Sequence, residues 1–141
     1  FFNTINEKAR ARVEYLGTVK GKARAKLVGD ARCMLMPTIY VEPFGGAGVE
    51  GMLTGTPLIA HDYGAFTETI IHGVTGYRCK TLGDWLEAIR VAPQLQRSIV
   101  SLEACDRYSL TTCAKKYDRA FRQLVELWHR GWNSLEPVNI L

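Results

Sequence analysis

The amino-acid sequence predicts a three-layer α/β fold, in which a parallel sheet carries helices on both of its faces. Short apolar segments without polar alternation are typical of buried parallel strands, and they lie before and after a glycine-rich turn at residues 45–48. Segments with apolar residues at helical spacing follow these strands. This alternation favours a Rossmann-like parallel sheet, because each connecting helix packs back onto the sheet.

Four strands and six helices are predicted in chain order. The strands lie at residues 13–16, 33–37, 57–60 and 76–80, each bounded by glycine, proline or polar residues. The helices lie at residues 20–30, directly after the glycine-rich turn, and at residues 66–71, 82–89, 95–102 and 109–128. Thr81 with Asp84 is a candidate N-terminal cap for the helix at residues 82–89, and Ser109 is a candidate cap for the last helix.

The last predicted helix carries an apolar stripe at helical spacing. Its members are Tyr117, Phe121, Leu124, Val125 and Trp128. An aromatic stripe of this kind belongs to a core more often than to a binding platform, so we expect it to be buried. Residues 133–141 show no pattern, which predicts a loose tail.

Length and composition indicate one globular domain. The chain has 141 residues and a net charge of +4, which slightly favours anionic ligands and leaves peripheral membrane contact open. No apolar run approaches the roughly 20 residues that span a bilayer, so we expect a cytoplasmic location. The chain begins at Phe1 rather than Met, which we interpret as the sign of a fragment.

The cysteines and histidines do not predict a metal site. The four cysteines form no C-x-x-C pair, and the three histidines lack the spacing of metal ligands. We therefore expect no bound metal.

The candidate functional residues lie at residues 41–60, where Glu42 and Glu50 flank the small residues 45–48. The helix that follows offers free backbone N–H groups and the positive end of its dipole to an anion such as phosphate. Glu50, about one turn inside this helix, could reach a ribose hydroxyl, and Glu42 would face the same crevice at the carboxyl end of a strand. The same pattern also fits a turn that serves packing alone.

Several motifs in register carry a family resemblance. They are E-x7-E at Glu42 and Glu50, Gly-Thr-Pro at residues 55–57, D-x-G-x-x-x-E at Asp62, Gly64 and Glu68, and G-x-x-G at Gly73 and Gly76. In this order they resemble the C-terminal, donor-binding domain of the retaining glycosyltransferases of family 4, and the resemblance covers about residues 13–89. It implies part of a GT-B fold, with a donor domain at residues 1–132 that is incomplete at its N-terminus.

The resemblance also implies a reaction and a set of site residues. A sugar would pass from a nucleotide-diphosphate sugar to a glycan, lipid or protein acceptor, with retention of configuration and without a metal or a cofactor. Glu42 would be the catalytic-site residue beside the donor sugar, Glu50 would accept hydrogen bonds from the ribose, and Glu68 would support a nearby loop. The substrate-binding amides would be those of Phe44, Gly45, Gly46 and Ala47.

Two departures from the family pattern qualify these expectations. We find no N-terminal, acceptor-binding domain in the sequence, so we expect the chain alone to be inactive. Because the C-terminal helix of family members crosses back to that other domain, we also expect Trp128 and Trp132 to be partly uncovered. Gly48 and Gly51 each weaken a helix by about 1 kcal/mol relative to alanine, so we expect a less rigid donor site.

Two other functions stay open. One is a nucleotide-sugar epimerase of the same two-domain architecture. The other is a non-enzymatic nucleotide- or nucleic-acid-binding module that uses the basic face of residues 20–26. A solvated helix surface explains that face better, so we expect no nucleic-acid partner.

Overall fold

The computed structural model describes residues 12–131 and has an α/β architecture. The strands are β1 (Met34–Met36), β2 (Leu58–His61) and β3 (Gly76–Cys79). The helices are α1 (Gly21–Asp30), α2 (Gly46–Leu53), α3 (Phe66–Thr69), α4 (Leu82–Val91), α5 (Arg97–Tyr108) and α6 (Leu110–Arg130), with a 3-10 turn at Ala92–Gln94. The strands form one parallel sheet in the order β1-β2-β3.

Strand β2 lies at the centre of the sheet and contributes to a core on each face. Leu58 and Ala60 pack on one face with α2 and α5, where Val49 and Val100 complete the cluster. Ile59 points to the opposite face and packs with residues of α4. Because successive side chains of a strand alternate between faces, these two clusters require helices on both sides. The predicted three-layer α/β fold is therefore confirmed.

The predicted strand at residues 13–16 is wrong. Residues 13–20 have no regular secondary structure, and Tyr15 is 79% exposed. A strand needs a neighbouring strand to receive its backbone hydrogen bonds. Within residues 12–131, strand β1 pairs with β2 and with no other strand, so residues 13–16 have no pairing partner there. A short apolar segment closed by glycine shows that a strand can form but not whether a partner exists. The sheet therefore has three described strands instead of the predicted four.

The local signals for helix starts are confirmed. The Thr81 side chain accepts a hydrogen bond from the Asp84 amide at 3.2 Å, and Asp84 Oδ2 accepts from the Thr81 amide at 2.8 Å. These two bonds form a capping box before α4. Ser109 caps α6 by accepting from the Thr112 amide at 3.3 Å. Helix α5 extends to Tyr108, beyond the predicted end at residue 102.

The prediction that the apolar stripe of α6 is buried is wrong, whereas the expectation that Trp128 is partly uncovered is confirmed. Tyr117, Phe121 and Trp128 are 65%, 60% and 87% exposed, and no residue of α6 is buried. The stripe predicts an amphipathic helix correctly, but periodicity does not state what covers the apolar face. Nothing within residues 12–131 covers it.

Some expectations fall outside the described residues. These are the domain limits at residues 1 and 132, Trp132, and the tail at 133–141. Within the part that the structure describes, no helix is both long and apolar enough to cross a membrane.

Candidate functional site

The turn before α2 requires glycine at its tightest point. Gly45 is the cap residue of α2 and has φ 76° and ψ 43°, in the left-handed region that side-chain-bearing residues rarely adopt. A Cβ added there would also lie 2.8 Å from Cε1 of the buried Phe66. The glycine thus lets the chain pass directly from the loop after β1 into the helix.

Two of the first four amides of α2 have no partner within residues 12–131. The amides of Gly48 and Val49 donate to the Gly45 carbonyl at 2.9 and 3.1 Å. By contrast, the amides of Phe44, Gly46 and Ala47 have no hydrogen-bond acceptor among residues 12–131. Because Gly46 and Ala47 are also exposed, these N–H groups are available to a ligand at the positive end of the helix dipole.

The Glu42 carboxylate is held at both of its oxygens. Oε1 accepts from the Gly45 amide at 3.0 Å, and Oε2 accepts from the hydroxyl group of Tyr40. The same hydrogen bond raises the pKa of Tyr40, because the nearby carboxylate disfavours a phenolate. In this structure the Gly45 amide therefore orients Glu42, whereas the amides of Gly46 and Ala47 remain available to a ligand.

The loop after β2 packs against the backbone of Glu42. The Ala65 amide donates to the Glu42 carbonyl at 2.9 Å. Gly64 has φ 60°, and a Cβ added there would lie 2.9 Å from the same carbonyl oxygen. The carboxyl ends of β1 and β2 thus meet at one edge of the sheet, where open α/β sheets bind ligands.

Glu50 lies in a cleft between α1 and α2 with a volume of about 210 Å³. The cleft is lined by Gly21, Arg24, Ala25, Val28, Met34, Ala47, Glu50, Gly51, Leu53 and Thr54. Glu50 forms an ion pair with Arg24 of α1, and both side chains are about half exposed. The structure therefore brings Ala47 and Glu50 together in the cleft. Glu42 is not among the lining residues.

Glu68 lies in α3 with an exposed side chain, and its carboxylate has no hydrogen bond or ion pair within residues 12–131. Its carbonyl oxygen accepts a hydrogen bond from Arg107 of α5. Arg78 of β3 donates to the Thr67 carbonyl at 3.1 Å. Two arginines thus bind the free carbonyls of this short helix, so its backbone supports the loop beside Glu42 more directly than the Glu68 side chain does.

Sequence reasoning missed two partners of the candidate glutamates. Tyr40 precedes Glu42 by two residues, a spacing that places both side chains on the same side of an extended segment, so a local signal existed. Arg24 lies 26 residues before Glu50, and only the fold brings them together. The interpretation of α1 as a solvated surface did not include this contact.

No metal cluster is evident in the described part of the chain, because no three His, Cys, Asp or Glu side chains between residues 12 and 131 are grouped to hold one ion. The expectation of a metal-free protein stays a prediction.

Comparisons with known proteins identify relatives of the chain. An uncharacterized glycosyltransferase of Methanocaldococcus jannaschii is 39% identical over 67 residues, which are 48% of this chain and 17% of the relative. An alpha-1,3/1,6-mannosyltransferase of Dictyostelium discoideum is 37% identical over 78 residues, which are 55% of this chain and 18% of the relative. A phosphatidyl-myo-inositol mannosyltransferase of Mycobacterium leprae is 32% identical over 118 residues, covering 77% of this chain and 31% of the relative.

The matched segments span less than one third of the length of each of these relatives. A family model described as glycosyl transferases group 1 matches residues 4–94, which are more than half of the chain. The match includes the glycine-rich turn, both candidate glutamates and the loop that packs on Glu42. The chain belongs to the glycosyl transferases group 1 family.

Proposed function

We propose that this chain supplies the donor site of a glycosyltransferase that moves a sugar from a nucleotide-diphosphate sugar to a glycan or lipid acceptor. We assign it to the C-terminal, donor-binding domain of a GT-B enzyme of family 4, which implies retention at the anomeric carbon. The observation that carries the proposal is the start of α2, where open amides lie between two glutamates with different surroundings.

The open amides suit the diphosphate of the donor. Those of Gly46 and Ala47 lie at the N-terminus of α2, where a phosphate receives both hydrogen bonds and the field of the helix dipole. Negative charge builds on the diphosphate as the bond from its oxygen to the anomeric carbon breaks. Fixed N–H groups stabilise that charge more in the transition state than in the bound donor. This arrangement supports a reaction without a metal or a cofactor.

The two glutamates suit different parts of the donor. Glu50 lies in a cleft with the apolar side chains Val28 and Met34, which fits a nucleoside whose ribose hydroxyls donate to the carboxylate. Glu42 is held by Tyr40 and Gly45 beside the open amides, which fits an acceptor of hydrogen bonds from the sugar hydroxyls. We assign no proton transfer to Glu42.

The names of the relatives suggest which donor to test first. Two of the three are mannosyltransferases, so a nucleotide-linked mannose belongs in any first set of donors. The acceptor site is proposed to come from a part of the enzyme that this chain does not contain. The chain alone is therefore expected to bind a donor without transferring its sugar.

The test is a ligand-observed NMR titration of the chain with UDP, GDP, ADP and their hexose conjugates, mannose included. Glu50→Ala removes the proposed ribose acceptor, and Glu126→Ala on the exposed face of α6 is the matched control. We expect saturable binding of one nucleotide, weakened about tenfold by Glu50→Ala, because hydrogen bonds to a charged group contribute strongly. Glu126→Ala should leave the dissociation constant unchanged.

Two outcomes would contradict the proposal. Equal binding by the unsubstituted chain and Glu50→Ala would remove Glu50 from the site. Binding that falls steeply with salt and extends to any polynucleotide would favour the nucleic-acid-binding alternative.

A further inference from the structure

The ion pair between Arg24 and Glu50 occupies only part of each group. Arg24 Nη2 donates to Glu50 Oε2, whereas Glu50 Oε1 has no hydrogen-bond donor among residues 12–131. The remaining guanidinium nitrogens of Arg24 likewise have no acceptor in the described part of the chain. The pair therefore presents one free acceptor and free donors side by side on the wall of the cleft.

The position of Arg24 is fixed by polar contacts at the end of α1. The buried Thr56 donates from Oγ1 to the Val28 carbonyl at 2.7 Å, one turn after Arg24. Arg97 Nη1 donates to the Ala31 carbonyl at 2.7 Å, and its Nη2 donates to the Gly29 carbonyl. No residue of α1 is buried, although Val28 packs partly against Gly51 of α2, so these bonds contribute much of what holds the helix beside α2.

A vicinal diol is complementary to this pair. One hydroxyl can donate to Glu50 Oε1, while the oxygen of the neighbouring hydroxyl accepts from a free Arg24 N–H group. Without Arg24, the half-exposed Glu50 side chain would lose the contact that holds Oε2 and selects its rotamer. A phosphate would instead attract the guanidinium away from the carboxylate and would not use Glu50.

We propose that Arg24 is a specificity-determining residue that positions Glu50 and selects ribonucleotides over nucleotides lacking the 2′- and 3′-hydroxyls. This inference rests on the proposed donor site. An exposed ion pair contributes little to folding, so substituting Arg24 tests recognition with the fold retained.

The experiment compares a nucleoside diphosphate with its 2′,3′-dideoxy analogue, using whichever of UDP, GDP and ADP the chain binds best. Dissociation constants are measured for the unsubstituted chain, Arg24→Ala, Arg24→Lys, Glu50→Gln and the double variant R24A/E50Q. The matched control is Lys22→Ala, which removes a positive charge from the same helix outside the cleft.

We expect Arg24→Ala to weaken ribonucleotide binding about three- to tenfold and to leave binding of the dideoxy analogue within about twofold. Arg24→Lys should restore part of the loss, because an ammonium group keeps one contact with Glu50. The double variant should lose little more than Glu50→Gln, since both substitutions remove the same recognition. Lys22→Ala should change neither constant.

An equal loss for both nucleotides in Arg24→Ala would overturn the inference, because it would indicate attraction to the diphosphate. No loss in Arg24→Ala, with a loss in Glu50→Gln, would overturn it while leaving the donor site intact. Absence of nucleotide binding by the unsubstituted chain would overturn the proposed function itself.

Discussion

Gly48 has a packing role that its helix propensity does not reveal. The sequence predicts that glycine at this position weakens α2, yet Gly48 is buried against the sheet. A Cβ added there would lie 2.5 Å from Leu58 Cδ2 and 3.0 Å from Met36 Sδ. The helix therefore approaches β1 and β2 so closely that an alanine would require the Leu58 and Met36 side chains to shift.

We expect Gly48→Ala to destabilise the chain by about 1–3 kcal/mol, because overpacking in a filled core exceeds the gain in helix propensity. Gly46→Ala is the matched control on the same helix. Its added Cβ would lie 3.9 Å from the nearest atom, a Phe44 ring carbon, so this substitution should be neutral or stabilising. Urea unfolding of both variants measures the difference. A Gly48→Ala variant as stable as Gly46→Ala would show that Leu58 relaxes freely.

At the scale of single residues, the sequence identifies two candidate glutamates but does not show which side chains hold them. The E-x7-E spacing led to Glu42 and Glu50 because it is local. Arg24 comes from another helix, and its contact with Glu50 depends on how α1 docks beside α2. A contact of that kind requires the fold and cannot be inferred from spacing.

The capping box of α4 makes the stability of this helix depend on pH. Hydrogen bonds from the amides of Lys80 and Thr81 stabilise the ionised Asp84 carboxylate and hold its pKa below the ordinary value of 3.8. A group with a lowered folded-state pKa stabilises the fold above its unfolded pKa. Its contribution is therefore complete above pH 3.8 and is lost as the pH falls through the lower folded-state value.

We expect Asp84→Asn to lower the thermal midpoint above pH 3.8 and to match the unsubstituted chain once Asp84 is protonated in both states. Thr81→Ala is the contrasting variant, because its hydroxyl group does not titrate. It should cost about 1 kcal/mol at every pH. Melting curves recorded by circular dichroism between acidic and neutral pH distinguish the two, and a pH-independent effect of Asp84→Asn would contradict the assignment.

At the scale of elements, caps were predictable and strand pairing was not. Thr81 and Asp84 form their box with atoms three residues apart, so the sequence contains the whole interaction. The segment at residues 13–16 has the composition of a strand, but pairing depends on a neighbour distant in sequence. That difference explains why α4 begins where predicted while the predicted first strand is absent.

The chain as a whole has a filled core beneath α2 and α5 and an open apolar face on α6. Phe66 is 0% exposed within the core, whereas Phe121 and Trp128 on α6 are 60% and 87% exposed. Aromatic content alone cannot separate these environments. The fold class could be predicted because it depends on alternation of elements, but the fate of the last helix depends on what packs against it.

We expect Phe66→Ala to destabilise the chain by about 3–5 kcal/mol, the usual cost of emptying a core aromatic site. Phe121→Ser and Trp128→Ser on α6 should change stability by no more than about 0.5 kcal/mol, because they lose little burial. Guanidinium unfolding followed by circular dichroism measures all three variants. A large loss in Phe121→Ser would mean that the exposed stripe is covered in solution.

The attachment of α1 has a consequence for the dynamics of the cleft. Arg97 and Thr56 hold the C-terminal carbonyls of this helix, and no buried side chain adds to their effect. Breaking a few polar contacts would release helix α1, which carries Arg24, while the sheet and both of its cores remain intact. Amide hydrogens of α1 should then exchange with solvent through local opening, at a free energy below that of global unfolding. A nucleotide bound between α1 and α2 would slow that exchange, because it contacts both helices only while α1 is folded and docked beside α2.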